Sequence, residues 1–194
     1  MTDVFYDLEF LEDGRTIELI SIGMVADDGR EYYAVNSDAP WDRVKKHDWL
    51  MQNVWPHLPL RGHQSGLVTI GGKVETRLTE PGVVDTSNTQ VKPRWVIANE
   101  VRDFIQAAEP EVELWANYGA YDFVALAQFW GPLVRRPKGV PMRTNDIQQE
   151  RSRLGIDWDD LPKQESGEHN ALADARHNQT VRRWLAERAA EVQT

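Results

Sequence analysis

The sequence predicts an α/β domain built on a mixed sheet. Residues 4–36 alternate β-forming runs with Asp-Gly turns, the pattern of an antiparallel meander. Beyond residue 94 helical periodicity alternates with strand-like runs, the pattern of strands joined through helices. The length of 194 residues suits one domain with a substantial core, and no internal repeat divides it.

Taken in order, residues 4–10 read as a strand and Glu12-Asp13-Gly14-Arg15 as a turn. Residues 17–26 give a second strand, Asp27-Asp28-Gly29-Arg30 a hairpin turn, and residues 31–36 a third strand. Residues 41–58 read as a helix that turns Trp41, Val44, Trp49, Leu50 and Trp55 toward a core. Residues 59–94 carry five glycines and little helical period. A structureless loop of that length is uncommon in a compact domain. Leu67 to Ile70, then Gly71-Gly72, then Lys73 to Thr76 predict a β-hairpin arm: a substrate clamp, a dimer arm or a plain surface excursion. Residues 95–108 return to helix, with Trp95, Val96, Val101, Phe104 and Ile105 on the apolar face and Pro110 as its stop. Glu111 to Ala116 reads as a strand, Tyr121 to Phe129 as a helix ended by Gly131-Pro132, and 133–168 as irregular apart from a short helix near Asp146 to Leu154. The last helix runs from about Asn170 to Ala190, with Asn170 as its N-cap.

Composition narrows the function. There is no cysteine, which removes disulfides, thiolate metal sites and a cysteine nucleophile, and makes the cytoplasm the simplest location. No apolar run of about 18 residues is present, so no membrane span is expected, and the N-terminus lacks the pattern of a secretory signal. The net charge of −9 argues against extensive binding along a duplex, which depends on neutralising phosphates. It leaves two readings: no contact with nucleic acid, or a grip on a short end where bound cations offset local carboxylates. The second predicts basic side chains near the site. Arg135, Arg136, Lys138 and Arg143 form one cluster and Arg182 with Arg183 another, and a solvated surface accounts for each equally well.

Three separate stretches supply acids. Asp7 and Glu9 stand at i and i+2 of the first strand, so both side chains share a face, where two carboxylates repel unless a cation lies between them. Asp122 follows a strand and opens a helix, a common place for a site and equally for a dipole-complementing acid. His169 lies in the lead-in to the last helix and Asp174 in its first turn, with Gly155 and Gly167 loosening the segment before them. Four carboxylates and one imidazole can hold two divalent cations and accept a proton. The remaining tryptophans read as core.

Order and context together carry a resemblance. Tyr6 to Gly14, Ile17 to Gly23, Gly29 to Val35, Gly119-Ala120-Tyr121-Asp122 and Ala171 to Arg176 resemble the DEDDh 3′–5′ exonucleases, within them the ribonuclease T-like group and especially the mycobacterial-type 3′–5′ exoribonuclease. Residues 59–94 are longer than that family suggests. The resemblance implies a ribonuclease H-like fold: a mixed five-stranded sheet, antiparallel meander then parallel strands, flanked by helices. It implies that Asp7, Glu9 and Asp174 coordinate a first metal, that Asp7 bridges to a second supported by Asp122, and that His169 is the general base. The ions would be Mg2+, with Mn2+ able to substitute, since the carboxylates are hard oxygen ligands. Leu8, Phe10, Tyr118 and Tyr121 become candidates for substrate stacking, against core packing as the bland alternative. The implied partner is the 3′ end of RNA, single-stranded or an overhang, releasing nucleoside 5′-monophosphates, with a homodimer as the assembly. A DNA-directed exonuclease, an endonuclease of ribonuclease H type and an inactive binding module on the same fold are the competing readings.

Overall fold

The structure is a computed structural model and describes residues 2–71, 73–108 and 111–191. β1 (Thr2–Glu12), β2 (Ile17–Ala26) and β3 (Glu31–Asn36) form the predicted meander. The tight turns have local causes: Asp13 accepts from the backbone N–H groups of Arg15 and Thr16, and Asp28 from that of Arg30.

The predicted helix over 41–58 is instead broken into α1 (Trp41–Val44), α2 (Asp48–Asn53) and a 3-10 turn at Trp55–His57. His47 explains the break, because its ring nitrogen accepts from the backbone N–H of Leu50 at 3.3 Å and caps a new helix. β4 (Leu60–Arg61) pairs with β7 (Val83–Val84), and between them β5 (Gln64–Ile70) and β6 (Lys73–Glu80) pair antiparallel, with Thr69 opposite Val74. Gly72 of the predicted turn and Pro110, the predicted stop, lie outside the described residues.

After β8 (Val91–Lys92) come α3 (Arg94–Gln106), β9 (Val112–Ala116), α4 (Ala120–Ala127), β10 (Asn145–Asp146), α5 (Ile147–Arg153) and α6 (Ala171–Glu191). The main sheet has six strands in the order β10-β9-β1-β2-β3-β8, not the five expected. β1, β2 and β3 run antiparallel, and β9, β10 and β8 pair parallel to their neighbours. β8 and β10 have two residues each, too few to leave an alternation in the sequence.

Helices cover both faces. Val4, Tyr6 and Leu8 of β1 point to one face and pack with Ile97, Val101 and Ile105 of α3 and Ala125 and Leu126 of α4. Phe5 points to the other and packs with Ile147 of α5 and Val181 and Leu185 of α6. The half of the sheet nearer β3 is covered by Val44, Leu50, Val54 and Trp55. β2, covered on both faces, is buried continuously from Leu19 to Ala26. No described helix is long and apolar enough to cross a membrane.

Candidate active site

β1 carries Asp7 and Glu9 on the α6 side of the sheet. α6 approaches closely because of the residue that pairs with Asp7, which is Gly23 of β2. A Cβ on Gly23 would lie 2.2 Å from the carbonyl oxygen of Ala171, the first residue of α6, so a larger residue would push the helix away. Asn170 caps the helix, its side chain accepting from the backbone N–H of Ala173 at 3.1 Å. The first turn then delivers Asp174 to Glu9. Ligand atoms of Glu9, His169 and Asp174 all lie within 4.8 Å of one another.

Asp122 comes from the opposite side, in the first turn of α4. One of its oxygens accepts from the backbone N–H of Leu8 at 2.9 Å, fastening α4 to the residue between Asp7 and Glu9. The chain reaches α4 through Tyr118, in left-handed backbone at φ 53°, and Gly119, whose N–H donates to Asp146 at 2.8 Å. Asp146 also caps α5, so one carboxylate ties the ends of two parallel strands together.

His169 is the second non-glycine residue in left-handed backbone, at φ 65°. Its N–H donates to Asp174 at 2.9 Å, and its ring meets the indole of Trp49 edge-on at 4.8 Å. The other oxygen of Asp174 accepts from Gln164 at 2.7 Å. His57 stands nearby, and burial lowers its pKa below the ordinary imidazole value.

The four carboxylates are in electrostatic conflict. Burial, then the charge of Asp122, raises Asp7 well above the ordinary range. Burial, then the charge of Asp174, pushes Glu9 up to about 8. Burial pushes Asp122 up to about 6 against the pull of its backbone hydrogen bonds, and burial also raises Asp174. Such a set fits a divalent cation, which supplies the missing positive charge and takes oxygen ligands. No lysine or arginine among the described residues lines this cleft of about 440 Å³. The expected basic cluster therefore lies elsewhere: Arg143 pairs with Glu113 at 2.8 Å, Arg183 with Asp27 at 3.0 Å, and Arg182 stacks on Trp115 at 4.3 Å.

All five predicted chemical residues line this one cleft. The stacking candidates divide. Leu8 borders the cleft but is 4% exposed and packs in the core, because the alternation that turns Asp7 and Glu9 one way turns its side chain the other. Phe10, beyond a register shift after Glu9, lines the cleft and meets Tyr121 at 6.3 Å. Tyr118 and Tyr121 are exposed rather than core, and Tyr118 meets Trp158 at 6.2 Å. The reading of the other tryptophans as core fails for Trp49, Trp95 and Trp158, which are 48%, 69% and 51% exposed. Trp158, Asn117, Gln164 and His177 also line the cleft and were missed. Gln164 carried no signal, whereas His177 stands three residues after Asp174, a helical spacing that shares its face.

Residues 79–185 match the family model of the Rv2179c-like 3′-5′ exoribonuclease domain, a span that contains Asp122, His169 and Asp174. The 3′-5′ exoribonucleases Rv2179c and MT2234.1 of Mycobacterium tuberculosis, from strains H37Rv and CDC 1551, are each 36% identical over 178 residues, covering 89% of this chain and 86% of theirs. The chain belongs to the Rv2179c-like 3′–5′ exoribonuclease family. It is therefore an exonuclease. Among solved structures, S. pombe Pop2p in its Mg2+- and Mn2+-bound form is similar at 13% identity and a TM-score of 0.42, over 96% of this chain and 82% of that one, a likeness too slight to carry an argument.

Proposed function

We propose that this enzyme removes nucleoside 5′-monophosphates from the 3′ ends of RNA by metal-dependent hydrolysis on a ribonuclease H-like fold. The observation that carries the reading is the convergence of Asp7, Glu9, Asp122 and Asp174 with His169 in one cleft, at pKa values that a lone protein can tolerate only by taking up protons or cations. Asp7, Glu9 and Asp174 would hold one Mg2+, and Asp7 with Asp122 a second. When bound, the pair supplies charge stabilisation for the attacked phosphate and the leaving oxygen, and makes water acidic enough to attack near neutral pH.

The protein's own groups do the rest. His169 accepts the proton of the attacking water, a task suited to imidazole, which titrates near neutrality. The water oxygen bonds to phosphorus, the bond from phosphorus to the 3′ oxygen breaks, that oxygen takes a proton from solvent so that the shortened strand leaves with a 3′ hydroxyl, and His169 returns its proton to solvent. Asp174 orients the base by accepting from the backbone N–H of His169, and Gln164 orients Asp174. Phe10 and Tyr121 offer aromatic surface to the terminal base. A cytoplasmic homodimer is the setting that the family resemblance and the absence of cysteine suggest.

The test is digestion of matched 3′-tailed RNA and DNA with Mg2+ or with a chelator, followed by product identification. Progressive shortening of RNA from the 3′ end, with 5′-monophosphates released only when cation is present, is expected. Cutting of a circular strand, release of 3′-monophosphates, or full activity in Asp7→Ala would overturn it, and a clear preference for DNA would move the substrate assignment.

A further inference from the structure

Beside the carboxylates lies a second cavity, of about 410 Å³, between α5, α6 and the segment before His169. Asn117, Trp158, Gln164, Glu168, His177 and Asn178 line both spaces, while Gln148, Leu161 and Lys163 line only the second. The two are thus one continuous surface, and the second part has no role in the chemistry above.

We propose that this cavity is a subsite for a nucleobase of the substrate strand, with Trp158 as the stacking wall and Asn117 as the hydrogen-bond donor. The proposal rests on the reading of the enzyme as an exoribonuclease. The lining of the cavity suits a base: a half-exposed indole, apolar side chains at Leu161, Ile147 and Val181, and the amides of Asn117, Gln148 and Gln164, while Lys163, Glu168 and His177 also border it and the Lys163 charge is matched by that of Glu168. The direction of the amides follows from Arg151. A guanidinium only donates, and Arg151 donates to Gln148 Oε1 at 2.9 Å. Gln148 Nε2 must then face Asn117, and it donates to Asn117 Oδ1 at 2.7 Å. Asn117 is left presenting its Nδ2 hydrogens, which no acceptor among the described residues takes. The pocket therefore shows a donor edge, complementary to the carbonyl or ring-nitrogen acceptors that every nucleobase carries. Tyr118, in left-handed backbone, extends the aromatic wall through its contact with Trp158.

The test is steady-state cleavage with Mg2+ of short single-stranded RNAs that are intact or abasic at one of the last three nucleotides. In the wild-type enzyme, removing the base at one position should lower kcat/KM about 5- to 10-fold, the scale of one lost stacking contact. Trp158→Ala should lower kcat/KM for intact RNA by the same factor, mainly through KM, and show no further loss at that position. Trp158→Phe should restore most of it, and Asn117→Ala should weaken the same position. Wild-type behaviour of Trp158→Ala and Asn117→Ala on every RNA, or an abasic penalty that persists unchanged in Trp158→Ala, overturns the subsite while leaving the nuclease reading intact. If the wild-type protein shortens no RNA, that reading fails instead. Titration of wild-type and Trp158→Ala proteins with AMP and CMP then decides the subsite, equal binding by both overturning it.

Discussion

The two sides of the cleft are built differently. On one, Glu9 and Asp122 are buried in the packed sheet, and Asp122 is held to the backbone of β1 by a hydrogen bond of 2.9 Å. On the other, His169 sits in left-handed backbone at the end of an irregular segment, half-buried, held through its own N–H and an edge contact with Trp49. On the proposed reading, the carboxylates that would hold cations stand on a fixed, packed side, and His169, the proposed base, stands at the end of an irregular segment. The contrast separates two kinds of failure: damage to the fixed side should remove the site, and damage to the irregular side should slow it.

The largest effect should come from Asp7→Asn. Activity should become unmeasurable, while the cation-free protein should melt at a higher temperature, because a buried like charge is gone. A melting temperature that falls would show that Asp7 is structural. His169→Ala should cost about 10²- to 10⁴-fold in kcat, the usual worth of a general base, with little change in melting temperature. A loss of Mg2+ affinity in that variant would mark His169 as a ligand instead.

The third effect is on stability against pH. Glu9 rises from an ordinary 4.5 to about 8 and Asp122 from 3.8 to about 6 in the folded state. A raised carboxyl contributes stability that is complete below its unfolded pKa and is lost as pH climbs through its folded pKa. Without divalent cation, stability should therefore fall between about pH 4 and pH 8, by about 1.4 kcal/mol for every tenfold change in proton affinity that folding imposes on a carboxyl. Mg2+ should oppose the fall most strongly at the alkaline end. Chemical denaturation across that range with chelator or Mg2+ measures both, and a flat profile without cation would contradict the electrostatic picture.

Gly23→Ala should destabilise by about 1–3 kcal/mol, the usual cost of overpacking, because the new methyl meets the backbone of Ala171. Its activity loss should be accompanied by weaker Mg2+ binding, since α6 carries Asp174. Gln164→Ala should have the smallest effect, about tenfold in metal affinity, as expected for a group that orients a ligand from behind. Isothermal titration with Mn2+ would read both.

Much of the fixed side was legible in the sequence. The i, i+2 spacing of Asp7 and Glu9, the Asp-Gly turns and the Asn170 cap are local rules that tertiary structure had no reason to override. The same rule, carried one step further, would have turned Leu8 into the core. The irregular side was far less legible. Periodicity reports which residues of an element share a face, but not which element covers that face. Trp49 and Leu50 looked alike in a helical reading, and only the cap at His47 decides that Leu50 is buried and Trp49 meets His169. Gly23 is one of 13 glycines, and its approach to Ala171 depends on a helix far along the chain.

The seating of α6 on Gly23 also sets a schedule. Asp7 and Glu9 leave the ribosome ahead of Asp174, which follows roughly 170 residues later, some 10–30 s at ordinary translation rates. Until α6 settles against β2, Asp7 and Glu9 of the emerging chain lack Asp174 and His169 beside them. On the proposed reading, a nascent chain made beside its own messenger would stay inert until α6 has docked.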